Sequence, residues 1–155
     1  ARFTVQDHTG KSNIAISRIV ITPKLVLLPI VANFMSTVPE SDEPNDVCQE
    51  AYPLSNNVPY EFLAEDKDDW YSFSINKSSN VTIELTEYEP VEGQILVAEG
   101  QCDALVRIGH NGNFSTNKII KLDDLQVGRY YIWLISDNIR TYGEPYKYNL
   151  LVKIQ

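Results

Sequence analysis

The sequence predicts an all-β protein, a sandwich or barrel, and three observations predict it. Short runs of alternating apolar and polar residues recur through residues 47–155. Turn-forming residues separate these runs at near-regular spacing. No long window places apolar residues at i, i+3, i+4 and i+7, so helical periodicity is missing. A chain of 155 residues fits one domain of ordinary size, with length enough to bury a core without many cross-links.

In chain order, residues 1–38 form an N-terminal β-strand extension, rich in β-branched residues and poor in acid. Ile14, Ile16, Ile19 and Ile21 lead into a run at 25–31, where Leu25, Leu27, Leu28 and Ile30 leave no solvent side. The run is too short to span a bilayer, and Pro29 interrupts it. An extension of this length makes no core of its own. It must pack on its own sandwich, on a neighbouring domain or on another copy of the chain. Residues 39–46 are a short acidic link flanked by Pro39 and Pro44, and residues 47–155 are the sandwich.

Within the sandwich, 69–75 places Tyr71, Phe73 and Ile75 on one face. Residues 80–87 alternate cleanly, with Val81, Ile83 and Leu85 inward and Thr82, Glu84 and Thr86 outward. Short strands are expected at 95–98, 105–108 and 118–122. Residues 128–135 are apolar on both faces, the pattern of a central strand, and 146–154 supply the last strand. Turns are expected at 76–80, 90–93, 109–113 and 137–145 from their Gly, Asn, Asp and Pro content.

Charge and cysteine content narrow the function. A formal net charge of -8 excludes nucleic acid, whose phosphates need clustered Lys and Arg, and disfavours anionic membrane surfaces. The chain starts at Ala1 without Met or a basic-then-apolar leader, which fits a processed, exported protein or a fragment. Two cysteines, Cys48 and Cys102, allow one intramolecular bridge. Export favours that bridge; a reducing compartment would leave free thiols.

Three motifs occur in a telling order. Glu43-Pro44-Asn45-Asp46 opens the compact zone, and Asp66-Lys67-Asp68-Asp69-Trp70-Tyr71-Ser72-Phe73 follows. Then Leu125-Gln126-Val127-Gly128-Arg129-Tyr130-Tyr131-Ile132 precedes the terminal Tyr148-Asn149-Leu150-Leu151-Val152. Over residues ~40–155 this resembles the bacterial pre-peptidase C-terminal domain family, which includes the collagen-binding domains of secreted bacterial collagenases. The resemblance implies a jelly-roll-like β-sandwich, an extracellular or cell-surface address and no catalysis of its own. It also implies calcium, bound by acidic groups of the first two motifs together. Carried over, the ligands are Glu43, Asn45, Asp46, Asp66 and Asp69. Ser41 stands where those relatives often carry another acid, which removes one donor. The density of oxygen donors suits calcium; the rival reading is a capped turn, with Asp69 accepting backbone hydrogen bonds at a strand start. An EF-hand is excluded, because no Gly and Glu follow Asp66 at the required positions.

Nothing in the sequence assembles a catalytic centre, so no enzyme is expected. His8 and His110 are the only histidines, no nucleophile motif is present, and Cys and His lack zinc spacing. His110 is expected in a Gly-Asn turn. Aromatic residues crowd the last two strands and their connection; of these, Tyr131, Trp133 and Tyr142 are candidates to face a ligand, against a reading as core. Asn76, Asn80 and Asn113 head N-x-[ST] sequons at turns or strand edges, which say little about modification.

Two readings of function follow. In one, the protein is a structural subunit of an extracellular filament or surface assembly, a homo-oligomer joined by donating its N-terminal strand head to tail. In the other, it is an accessory domain of a secreted protease or surface protein that holds collagen or another extracellular polymer.

Overall fold

The computed structural model describes residues 5–6, 12–13, 36–37, 44–64, 66–136 and 146–155. The chain divides into two units, Ala1–Ala32 and Asn33–Gln155. In the first, strand β1 (Val5–Gln6) pairs antiparallel with β2 (Ser12–Asn13). The expected packing residues Ile14, Ile16, Ile19, Ile21, Leu25, Leu27, Leu28 and Ile30 lie outside the described residues.

The second unit holds β3 (Ser36–Thr37), a single 3-10 turn at Cys48–Glu50, β4 (Tyr52–Pro53), β5 (Pro59–Ala64), β6 (Asp68–Ile75) and β7 (Ser79–Thr86). It continues with β8 (Gln94–Glu99), β9 (Val106–Asn111), β10 (Lys118–Leu125), β11 (Gly128–Ile135) and β12 (Tyr146–Ile154). No α-helix occurs among the described residues, and none of their helical turns is long and apolar enough to cross a membrane. One five-stranded sheet runs β10-β7-β12-β5-β3 and the other β4-β6-β11-β8-β9. From β5 to β12 the chain changes sheet at every connection except the β8–β9 hairpin, which is how a jelly-roll-like sandwich closes.

Each strand forms because its alternation matches this two-layer burial. Phe62, Tyr148, Leu150, Val81, Ile83 and Leu85 point inward from the first sheet. Tyr71, Phe73, Ile132, Leu134, Ile95 and Val97 meet them from the second. β11 lies in the middle of its sheet, between β6 and β8, as its two-sided apolar pattern predicts. The Tyr71 and Tyr148 hydroxyls bond to one another across the core, so neither phenol is buried without a partner.

Two strands depart from the sequence expectation. β5 begins at Pro59, which reads as a breaker; as the first residue of a strand its missing N–H costs no ladder bond. β9 runs on through Gly109 and His110, where a turn was expected. Gly109 is a close-approach glycine: a Cβ there would lie 2.9 Å from the Ile120 side chain. His110 therefore sits in a strand, opposite Leu96.

Candidate functional site

The two outer faces of the sandwich differ in chemistry. On the β10-β7-β12-β5-β3 sheet, Lys147 pairs with Glu61 at 2.6 Å and Lys153 with Glu84 at 2.6 Å, and Asn149 donates to Glu87. This is a charged, solvated face. On the other sheet, the residues that alternate with the core positions of β6 and β11 are Trp70, Tyr131 and Trp133.

Register places Trp70 and Trp133 in one row with Leu96 and His110, across four strands. Trp70 lies opposite Trp133, Trp133 opposite Leu96, and Leu96 opposite His110. The indoles of Trp70 and Trp133 stack, with centroids 4.8 Å apart and planes 13° from parallel. Trp133 Nε1 donates to Asp68 Oδ1 at 2.9 Å, which fixes the ring and spends its donor. Trp70, Trp133 and Leu96 are half-buried and His110 is exposed. Three inter-strand gaps make the row about 14 Å long. Its polar fringe is Asp68 and Gln94, which lie along the same side of the row, both opposite Ile135; Gln94 Oε1 meets His110 Nε2 at 3.0 Å.

A disulfide covers the neighbouring part of this face. Cys48 and Cys102 are bonded, with Cα atoms 5.6 Å apart. With Ala51, Trp70 and Leu105 they pack around Tyr131, which is only 7% exposed. The strap reaches Cys102 through Gly100, whose φ of +112° is closed to residues with a side chain without strain. Of the three expected ligand-facing aromatics, Trp133 stands in the row, Tyr131 lies beneath the strap, and Tyr142 is outside the described residues. Trp70 and Leu96 went unnoticed in the sequence, although the period-2 alternation of β6 assigns Trp70 to the outer face.

The expected calcium donors are placed as follows. The Asn45 carbonyl accepts the Trp70 N–H at 2.8 Å, which brings the opening turn beside β6. Asp66 Oδ1 accepts the Asp68 N–H at 3.2 Å, closing a local turn. Asp69 is wholly buried on the inner face, and Asp46 is exposed. Burial, then Tyr146, then the Asp69 charge push the Tyr88 phenol far above its usual range. Glu43 lies outside the described residues. Among the described residues no group of three or more His, Cys, Asp and Glu is arranged to hold a metal ion.

Cys102 is consumed by the disulfide, and the side-chain partner of His110 is an amide. Asn76, Asn80 and Asn113 are all exposed, and Asn80 Oδ1 accepts the Asp124 N–H at 3.0 Å.

No family model matches the sequence, and a search of curated proteins gives no match. Solved structures do resemble the fold. The pre-peptidase C-terminal domain of a collagenase from Bacillus anthracis aligns with a TM-score of 0.53 at 16% identity, covering 72% of this chain and 99% of that one. Two periplasmic inhibitors of g-type lysozyme align less well. The Salmonella Typhimurium protein gives a TM-score of 0.43 at 13% identity, covering 68% of this chain and 98% of that one. The Aeromonas hydrophila protein gives 0.44 at 18%, covering 78% and 97%. At such identities the likeness is one of fold: this chain shares the β-sandwich of the collagenase domain.

Proposed function

We propose that the protein is an extracellular, non-catalytic β-sandwich module that holds an extended polymeric partner on the outer face of the β4-β6-β11-β8-β9 sheet. The observation that carries this reading is the row Trp70–Trp133–Leu96, a half-buried apolar strip with fixed ring geometry opposite a charged, ion-paired face. Pre-positioned aromatic side chains are the residues from which binding surfaces draw most of their energy. The disulfide supports the address, because such bonds persist in oxidising compartments. The expected behaviour is retention on an extracellular polymer, lost in Trp133→Ala. A Glu84→Ala change on the opposite face should leave retention intact. Retention that survives Trp133→Ala and disappears with Glu84→Ala would overturn the assignment of the face.

One observation favours the rival reading of a filament subunit. β3 is an N-terminal strand already added in parallel to the edge of β5, Ser36 opposite Tyr60 and Thr37 opposite Glu61. The same addition made by a neighbouring copy would join subunits in a fixed direction. Sizing of the full chain over a range of concentrations separates the readings: a subunit grows with concentration, and a binding module stays a monomer.

A further inference from the structure

The docking reading leaves the partner's chemistry open, and the charges on the aromatic face narrow it. On the opposite sheet, the outward lysines of β12 are neutralised by glutamates. On the aromatic sheet, Arg107 of β9 and Arg129 of β11 are exposed, and neither has a carboxylate at ion-pair distance among the described residues. Arg129 is held in place, its guanidinium 5.2 Å over the Tyr131 ring and one N–H donated to Ser72 Oγ at 2.9 Å. Arg107 lies opposite Ala98, which is itself opposite Tyr131, so it stands two strands beyond the ring that Arg129 covers. The acids nearby are Asp68, which accepts the Trp133 indole N–H, and the exposed Glu50, Glu99 and Asp103 at the strap and its end. In a chain of net charge -8, two guanidinium forks beside an aromatic row, with no ion-pair partner among the described residues, stand out. A guanidinium fork matches a carboxylate in shape and charge.

The backbone decides between a peptide and a sugar polymer. β11 and β8, which carry Trp133 and Leu96, are paired on both sides. Their ladder groups are spent, so a peptide laid across them gains no main-chain bonds. A peptide would find ladder groups only along β9, the edge strand, two strands from Trp133; across the row, recognition comes from side chains: apolar flanks of rings, planar amide and imidazole groups at Gln94 and His110, and the two guanidiniums. A chain of sugar rings bearing carboxylates answers all three. Resting on the docking reading, we propose that the partner is an acidic polysaccharide of the uronic acid type. Trp70, Trp133 and Leu96 pack on its rings, and Arg107 and Arg129 take its carboxylates.

The test uses the full chain, and retention is measured on polygalacturonate, a neutral galactan, gelatin and poly-glutamate. The inference predicts retention on polygalacturonate that weakens as salt rises. The double variant Arg107→Ala/Arg129→Ala should bind it at least about tenfold more weakly, and Trp133→Ala similarly. Both arginines are exposed, so their removal leaves the core intact, and unchanged Tm in the double variant confirms this. Equal retention on the neutral galactan, or no loss in the arginine variant, overturns the acidic class. Retention on gelatin or poly-glutamate alone, lost in Trp133→Ala, keeps the docking face and overturns the polysaccharide. No retention on any of the four overturns the docking reading together with this inference.

Discussion

Lys118 is fully buried at one rim of the sandwich, and its ammonium is bonded instead of solvated. Nζ donates to the Val91 carbonyl at 3.0 Å and to the Asn113 carbonyl, and it lies 5.9 Å over the Tyr88 ring. One side chain thus ties the β7–β8 connection to the β9–β10 connection. Lys118→Met keeps the apolar stem and leaves two carbonyls without their donor, so a loss of about 1–3 kcal/mol is expected in urea melts. Tyr88 gives a pH signature. Its folded-state pKa is raised, first by burial, so its stabilising contribution is fully present below the ordinary value of 10.0 and is lost as pH rises beyond it. Stability should fall above about pH 10, and Tyr88→Phe should flatten that alkaline limb. The carboxylates near Trp70 have structural occupations. Asp66 closes a turn and Asp68 orients Trp133. The calcium site implied by the resemblance predicts a rise in Tm on calcium titration that Asp69→Asn removes; an unchanged Tm leaves the capped-turn reading.

The disulfide strap acts at the level of the element. It links the 3-10 turn before β4 to the turn after β8, a separation of 54 residues, and lays both over Tyr131. Opening a loop of that size costs about 4 kcal/mol in the chain-entropy model. Cys48→Ser/Cys102→Ser should lose stability of that order in urea melts, and Tyr131 should become more accessible to nitration. A variant with unchanged stability would mean that the strap is held by its apolar contacts instead. β6 and β11 also show how much of these elements was legible. Their alternation announced their inward faces, and the apolar doubling of β11 announced its central place. β5 was illegible because Pro59 and the polar residues before it resemble a loop; its strand forms through β12, a partner far away in sequence. β9 was misread at Gly109, where the glycine meets Ile120 of another strand and makes no turn. Local pattern reports alternation, and it does not report which distant strand will press against a glycine.

For the whole molecule, the same limit applies to the site. Trp133 stood out in the sequence as a candidate, yet the row that gives it meaning needs the registers Trp70–Trp133, Trp133–Leu96 and Leu96–His110. Those registers follow from tertiary pairing between segments dozens of residues apart, which no window on the sequence contains. The N-terminal extension poses the complementary question, because its β-branched composition is plain and its partner is not. The contact boundary falls at Ala32, so a chain of residues 33–155 retains β3 and both five-stranded sheets. A chain of residues 39–155 lacks β3 and leaves the outer edge of β5 without Ser36 and Thr37. An exposed strand edge recruits other strands. If subunits join by donating this strand, residues 33–155 should still exchange it between copies, while 39–155 should accept a synthetic peptide of residues 33–38 in trans. If residues 14–31 do the joining, full-length protein should assemble and 33–155 should be monomeric. Sedimentation of the three chains at matched concentrations distinguishes these outcomes. A monomer in every case overturns strand donation by this extension.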